Sequence, residues 1–479
     1  MSIITSFFGL TEGNDKIVKL AKTLAILLPI VAITIQLTTT YFMIFVAEAV
    51  GHGSFIEGLE IMGILVVIQL GVQTLLDYPT GALGDWIGQR YVISSAFISF
   101  AVAFYLVSLV TSATPFAFLI FIYFMMGFGN SQMSGSFMAW FDNNYRVAMP
   151  GDKDRKQYGV FWGKIGMLFQ IVATLVLIPG SILAVIFGRA WVFQLQAILC
   201  LVIALVVLRM VKDFPEVREE RTERPSMTEY GGLLKSGFSF LVSDKFVLYI
   251  ILGGTLIMSS NFVWGSLILF PMYFSYLISD VAVSTFRTML FVPGVVQNER
   301  SGVWSRKFEA KTWIPRFRLL QGCGFVFYVA FSAIMLFFPP GTGDLLTFML
   351  PYTQIVIMQL PASSILPLLL MTVTFTFTGF FGGFAEILTQ RELLDVIPNK
   401  IRNSMYSLSQ TIATLLAIPQ IAFFGWLIPN VGFPPTLLIC GIITFLGAYL
   451  IRKGLSHPKP LASDGQQDKS LTPVAVVEE

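Results

Sequence analysis

Ionisable residues are few in this chain, and several stand inside or beside long apolar runs, where a charge needs a partner or a task. Asp77 lies in Leu75-Leu76-Asp77-Tyr78-Pro79-Thr80-Gly81, two helical turns before Asp85. A carboxylate there can serve as a protonatable switch or as the partner of a cation such as Arg146 or Lys164. Asp142 and Arg146, just past the fourth apolar run, are expected to join Asp77 in a charge network near one membrane surface. Arg287 falls eight residues past Ser279, a depth of ~12 Å along a helix and a long reach back to water. It can bind an anionic solute group, pair with Glu48, Glu57 or Glu60, or snorkel. Lys164 and Glu386 are weaker candidates of the same kind.

Uncharged polar residues recur at three- or four-residue spacing, which places them on shared helix faces. They are Gln36, Thr40 and Met43, then Asn130 and Ser134, Asn261 and Trp264, and Thr374 and Thr378. Together they suggest a mixed polar and aromatic cavity with little formal charge. Hydrogen bonding between helices is the alternative, since polar groups in lipid need partners.

The elements that must position these residues follow from composition. Of 479 residues, 55% are hydrophobic and only 12% charged, and mean hydropathy is +0.75. A soluble domain carries about 25% charged residues, so this chain is built for lipid. Crossing a bilayer takes ~20 apolar residues per helix. Twelve such runs are expected: Thr23–Ala49, Gly58–Gly81, Tyr91–Val110, Pro115–Phe141, Tyr158–Phe187, Ala190–Val211, Phe246–Tyr276, Val281–Gln297, Phe317–Phe338, Pro361–Leu388, Met405–Pro429 and Pro434–Ile451.

The formal charge of +3 is unevenly placed. Under this topology most Lys and Arg fall on one side, and only Arg189 and Arg287 lie toward the other. The positive-inside rule then puts both termini and the central loop in the cytoplasm of a multi-pass cell-membrane protein. Topology accounts for the basic excess, so no nucleic-acid partner is implied. The start of the chain does not read as a cleavable signal. Cys200, Cys323 and Cys440 sit in different runs, without disulfide or metal spacing. His52 and His457 are too far apart in depth to form a site. With no metal cluster, cofactor motif or phosphate-cradling loop, an enzyme is not expected.

Between the second and third runs stands Gly81-Ala82-Leu83-Gly84-Asp85-Trp86-Ile87-Gly88-Gln89-Arg90, read as a tight connection. Gly302-Val303-Trp304-Ser305-Arg306-Lys307-Phe308-Glu309-Ala310-Lys311 holds the same place in the second half, with Arg306 where Asp85 stands. Asp152–Tyr158 is likewise echoed by Pro398–Tyr406, each just before the fifth run of its half. These segments resemble the major facilitator superfamily, whose gate motif would here be Gly81, Gly84, Asp85, Gly88 and Arg90. The resemblance implies an all-α membrane protein with twelve transmembrane helices in two pseudo-symmetric six-helix bundles. Residues 1–211 and 246–453 would be the bundles, 212–245 the cytoplasmic linker and 454–479 a disordered tail. It implies that Asp85 sits near the start of the eleventh helix, around Asn403–Ser407, and latches the bundles by ~0.3–1 kcal/mol of charge–dipole attraction. It also implies a cavity lined by the first, fourth, seventh and tenth helices.

Two antiporter signatures are missing. Tyr123 stands where an arginine would precede Gly127-Phe128-Gly129, and the fifth run reads Gly163-Lys164-Ile165-Gly166 with Pro179 much later. Gly135–Asp142 is similar to several efflux-like members. The expected function is secondary active transport of a small organic solute by alternating access, with efflux and proton coupling preferred. Uptake of an anionic solute through Arg287, or a non-transporting receptor or scaffold, are the alternatives. The expected partners are the lipid bilayer, a small-molecule substrate and a coupling proton, for a monomeric protein.

Overall fold

A computed structural model describes residues 6–10, 14–152, 156–220, 238–291, 293–294, 297, 304, 307–341, 343–394, 396–397 and 402–460. Among these, eleven helices are long and apolar enough to cross a bilayer. The remaining crossing is the eighth, described as α13 (Asp280–Met289) and a few residues beyond it. Leu75, Leu205 and Phe377 are 77%, 64% and 65% exposed on the outside of the bundles. Apolar side chains facing outward from helices of this length are what lipid as a solvent selects.

Contacts between distant helix ends fix the orientation of each half. Asn14 caps α1 (Asp15–Gln36) through its side chain and donates to the Ala148 carbonyl at 2.5 Å. Lys16, one turn into α1, pairs with Glu216 just past the sixth crossing. That hydrogen bond holds the exposed Glu216 carboxyl below its usual range. In the second half Tyr249, near the start of α11 (Lys245–Val263), stacks on His457 with centroids 5.7 Å apart. Each half therefore begins and ends on the same face, as an even number of crossings requires. That side is the terminal face, and the other the opposite face.

Several crossings are broken, the first where a polar side chain from another helix takes over backbone hydrogen bonds. The first starts at Asp15 rather than Thr23 and splits into α1 and α2 (Phe42–Val50). At the break, Thr38 donates to Gln196 Oε1 at 2.6 Å, and Gln196 Nε2 donates to the Thr34 carbonyl at 2.7 Å. The fourth divides into α5 (Phe116–Met133) and α6 (Ser136–Ala148) at Gly135, whose φ of 74° is costly for a residue with a side chain. The seventh passes from α11 through a π-turn at Trp264–Ile268 into α12 (Leu269–Leu277). The last helix, α18 (Phe433–Ser456), runs past residue 454, where the tail was expected; residues 461–479 lie outside the described set.

Two expectations need correction. The Gly81–Arg90 segment is mostly helix, not loop: α3 (Phe55–Ile87) carries it to Ile87, and α4 (Gln89–Val107) resumes after Gly88 alone. A positive φ of 108° at Gly88 makes the reversal in one residue. Between the ninth and tenth crossings lies an unanticipated antiparallel hairpin, β1 (Leu345–Met349) with β2 (Val356–Pro361), in register Leu345↔Pro361. Its strands lack polar alternation, so nothing between the expected runs Phe317–Phe338 and Pro361–Leu388 marks them as strands.

Within a bundle, helices meet where glycine removes the side chain. A methyl group at Gly253 would lie 2.4 Å from the Gly447 carbonyl oxygen across the α11–α18 contact, whereas one at Gly254 would meet nothing within 4 Å. Backbone approach of this kind is how membrane helices gain dispersion contact. Gly253→Ala is therefore expected to destabilise the purified protein by ~1–3 kcal/mol through overpacking. Gly254→Ala is expected to leave stability unchanged or raise it, since alanine exceeds glycine in helix propensity by ~1 kcal/mol. Thermal unfolding in detergent separates the two, and equal shifts would contradict this packing.

Candidate functional site

The two bundles meet on the opposite face through a buried ion triad. Gly188, at φ 87°, turns the chain so that α9 (Arg189–Met210) begins with Arg189 pointing across the bundle boundary. Its guanidinium grips Asp280 at both edges, Nε to Oδ2 at 2.7 Å and Nη2 to Oδ1 at 2.8 Å, and donates from Nη1 to Glu48 at 2.6 Å. Asp280 comes from the first turn of α13 in the second bundle, and Glu48 from α2 in the first. Asp280 is 8% exposed, Arg189 19% and Glu48 32%. Tyr41 and Phe274 rings flank the guanidinium at 5.9 and 5.6 Å. Bidentate geometry and low exposure make the Arg189–Asp280 contact strong once formed and costly to leave half made.

Beneath the triad, three hydroxyls from three crossings close a second layer. Ser181 and Ser284 lie 2.5 Å apart, Ser284 and Thr40 3.0 Å, and Thr40 and Ser181 3.3 Å. One turn further in, Thr288 donates to the Thr174 carbonyl at 3.3 Å. Beside this column Gly63 of α3 touches Gly425 of α17 (Arg402–Val431), where a methyl group on Gly425 would come within 2.8 Å of the Gly63 Cα. Phe55 and Phe274 add a ring contact at 5.4 Å. The opposite face is sealed.

On the terminal side of Thr174 a cavity of about 1150 Å³ opens between the bundles. The first bundle lines it with Gln36 and, from α7 (Lys156–Leu175), Lys164 and Gln170; the second contributes Arg287, Gln297 and Phe375. Gly163 and Gly166 also border it and are exposed. Lys164 and Arg287 are both half-buried, and neither forms an ion pair with a described residue. Its lining holds no carboxylate among the described residues. A smaller groove of about 360 Å³ lies wholly within the second bundle, beside Lys311, Arg316 and Arg452, and is not shared between bundles.

The residues singled out in the sequence are distributed unevenly around this site. Gln36 and Arg287 line the cavity, and Thr40 belongs to the hydroxyl layer above it. Thr374 and Thr378 donate to their own helix, to the Leu370 and Thr374 carbonyls at 2.9 and 2.8 Å. Trp264 is core: it is 6% exposed and packs edge-on against Phe327 and Phe331 at 5.0 and 5.5 Å. Asn261 is exposed, and Asn130 lies in α5 away from the cavity lining. Ser134 stands at the α5–α6 break, near Asp77. Asp77 does not join Arg146, which contacts Asp142 at 3.4 Å and Asn143 at 2.6 Å. Glu48 is held by Arg189 and so does not pair with Arg287, while Glu386 pairs with Arg318 at 3.0 Å.

In the motif segment, a methyl group at Gly81 would meet nothing within 4 Å, and one at Gly84 would strike the Gln89 side chain at 2.3 Å. Arg90 lies over the Tyr91 ring at 4.5 Å. The side chains of Asp85 and of 403, 404, 406 and 407 lie outside the described residues, as do Gly302, Val303, Ser305 and Arg306. Sequence reasoning did not single out Asp280, Ser181, Ser284 or Gln170. The available signal was Arg189, a cation on the face otherwise nearly devoid of them.

The Major Facilitator Superfamily model matches residues 24–364. No curated protein matches the sequence. Among solved structures, the chain is similar to the nucleoside transporter NupG at 14% identity and TM-score 0.60, covering 93% of this chain and 100% of that one. It is also similar to a D-xylose-proton symporter at 16% identity and TM-score 0.60, with 93% and 98% covered. At these identities the likeness is one of fold. A family match over most of the chain and a fold of two six-helix bundles lead to one conclusion: this protein belongs to the major facilitator superfamily.

Proposed function

We propose that the protein moves a small organic solute across the cell membrane by alternating access, with 1–211 and 246–453 as the moving bundles and 212–245 as their linker. The observation that carries this reading is the pairing of a sealed opposite face with a cavity between the same two bundles. The terminal face holds Lys16, Arg90, Arg146 and Lys453, so the positive-inside rule makes it cytoplasmic. The described conformation is then inward-facing, with the Arg189–Asp280 contact closing the outside.

Alternating access needs each seal to be breakable. The triad supplies a discrete contact between rigid bodies, and breaking it releases Asp280 into water that enters from outside. In the outward-facing state Asp85 would take over on the cytoplasmic side by meeting the start of α17. A solute that prefers one state shifts the balance only by its difference in affinity for the two. Efflux coupled to protons remains part of the proposal through Asp77, a carboxylate in the second crossing that stands apart from the cavity lining. One chain encloses the whole cavity, which supports a monomer as the working unit.

Removing one partner of the triad should favour the outward-facing state. Arg189→Ala and Asp280→Asn each leave a buried charge or dipole unpaired, at a cost of ~3 kcal/mol in the sealed state, or roughly 100-fold in population. Labelling of a Ser284→Cys thiol by a membrane-impermeant reagent added outside is expected to accelerate at least tenfold in both backgrounds. Glu48→Gln should change it less, because that carboxylate is partly solvated and such pairs contribute ~0–1 kcal/mol. Solute flux into or out of proteoliposomes should fall in Arg189→Ala and recover partly in the charge-swapped pair Arg189→Asp with Asp280→Arg. Labelling indifferent to every triad substitution would show that the contact is not the outer gate.

A further inference from the structure

We infer that the cavity binds an organic anion, an oxyanion such as a carboxylate or phosphate on an apolar body, held between Lys164 of the first bundle and Arg287 of the second. This rests on the transport reading above and names the class of solute. Both cations border the same cavity, one from each moving body, and no described carboxylate lines that cavity. Every other well-buried arginine described at depth is compensated: Arg189 by Asp280 and Glu48, Arg318 by Glu386. Among the described residues, the buried arginines are therefore paired except where the cavity opens. Two positive charges with no described carboxylate partner among membrane helices are costly unless an anion arrives to share them.

The rest of the lining fits the body of such a solute. Phe270, Phe291 and Phe375 offer apolar surface from the second bundle, and Gln36 and Gln170 offer amides from the first. The volume, about 1150 Å³, exceeds the ~300–1,000 Å³ typical of small-molecule pockets, so the solute enters with water. Charge also couples binding to motion. With the cavity empty, Lys164 and Arg287 repel across the bundle boundary and favour separation on the cytoplasmic side. An anion between them turns repulsion into attraction from both bundles and draws that side together. Arg287 sits one turn from Ser284 and two from Asp280 on the same short helix, so a pull on Arg287 is transmitted directly to the outer seal.

Two measurements on the full chain test this, one of which needs no knowledge of the natural solute. A Gly166→Cys thiol projects into open space in the cavity wall. Its rates with ethylsulfonate and ethyltrimethylammonium methanethiosulfonates are compared, after subtracting the protein without that thiol. Lys164→Gln and Arg287→Gln are each expected to lower the anionic-to-cationic rate ratio about tenfold, as loss of a nearby charge predicts. Arg287→Lys, which keeps the charge, should preserve it. A ratio unmoved by both neutral substitutions overturns the inference. In the second measurement, benzoate, phenyl phosphate, benzyl alcohol and benzylamine are screened for thermal stabilisation. Stabilisation by either anion, lost in Lys164→Gln or Arg287→Gln, supports the inference and the two anions distinguish carboxylate from phosphate recognition. Stabilisation by the alcohol or amine alone, independent of both cations, overturns it. Anion binding without flux in proteoliposomes would sink the transport reading and leave this inference standing; flux of a neutral or cationic solute, indifferent to Lys164 and Arg287, would do the reverse.

Discussion

Closure of the opposite face turns on a guanidinium bound on both edges at low exposure, at the boundary between two bundles that also pack along α3 and α17. Arg189 and Asp280 are expensive to bury singly and inexpensive to bury together. That asymmetry suits the contact to the two-state role proposed for it, fully formed or hydrated. The hydroxyl triangle of Thr40, Ser181 and Ser284 and the Gly63–Gly425 backbone contact extend the closure inward. Hydroxyl pairs exchange readily with water, and a glycine contact offers dispersion without specificity.

The cavity lies where the closure ends, and its charge has the character opposite to that of the seal. At the seal one cation meets two carboxylates; in the cavity two cations meet none that is described. Both Asp280 and Arg287 belong to α13, so the second bundle contributes to gate and site from one short helix. The first bundle divides the work between Arg189 in α9 and Lys164 in α7. Under the proposed mechanism, this arrangement would link what fills the cavity to what holds the opposite face shut, through rigid helices.

Much of the fold was legible in the sequence because lipid imposes long apolar runs and little else competes with that signal. The break inside the first run was not legible, since there Gln196 takes over the Thr34 carbonyl, and that depends on a residue far away in sequence. The β1–β2 hairpin was missed for a different reason: it lies between the expected ninth and tenth runs, and its short apolar strands lack the alternation that marks a half-buried strand. Arg287 could be singled out by depth alone. Trp264 could not be sorted from cavity to core, because helical spacing says which residues share a face but not what that face meets. The importance of Asp280 was hidden for the same reason, as a loop-edge carboxylate gains meaning only when Arg189 reaches it from another crossing. Gly81 and Gly84 illustrate the reverse error, a recognisable pattern read as a loop that the backbone continues as helix.

The central claim is that two rigid bundles exchange an outer seal for an inner one. Pulsed electron-spin distance measurement between labels at His52, in the first bundle's loop on the opposite face, and Tyr352, fully exposed at the hairpin tip of the second, reads that exchange directly. The account predicts one short distance in the unmodified protein and a second, longer population in Asp280→Asn, while a label pair across the terminal face changes in the opposite sense. A single unchanged distance on both faces, with the variant folded and monodisperse, would contradict it.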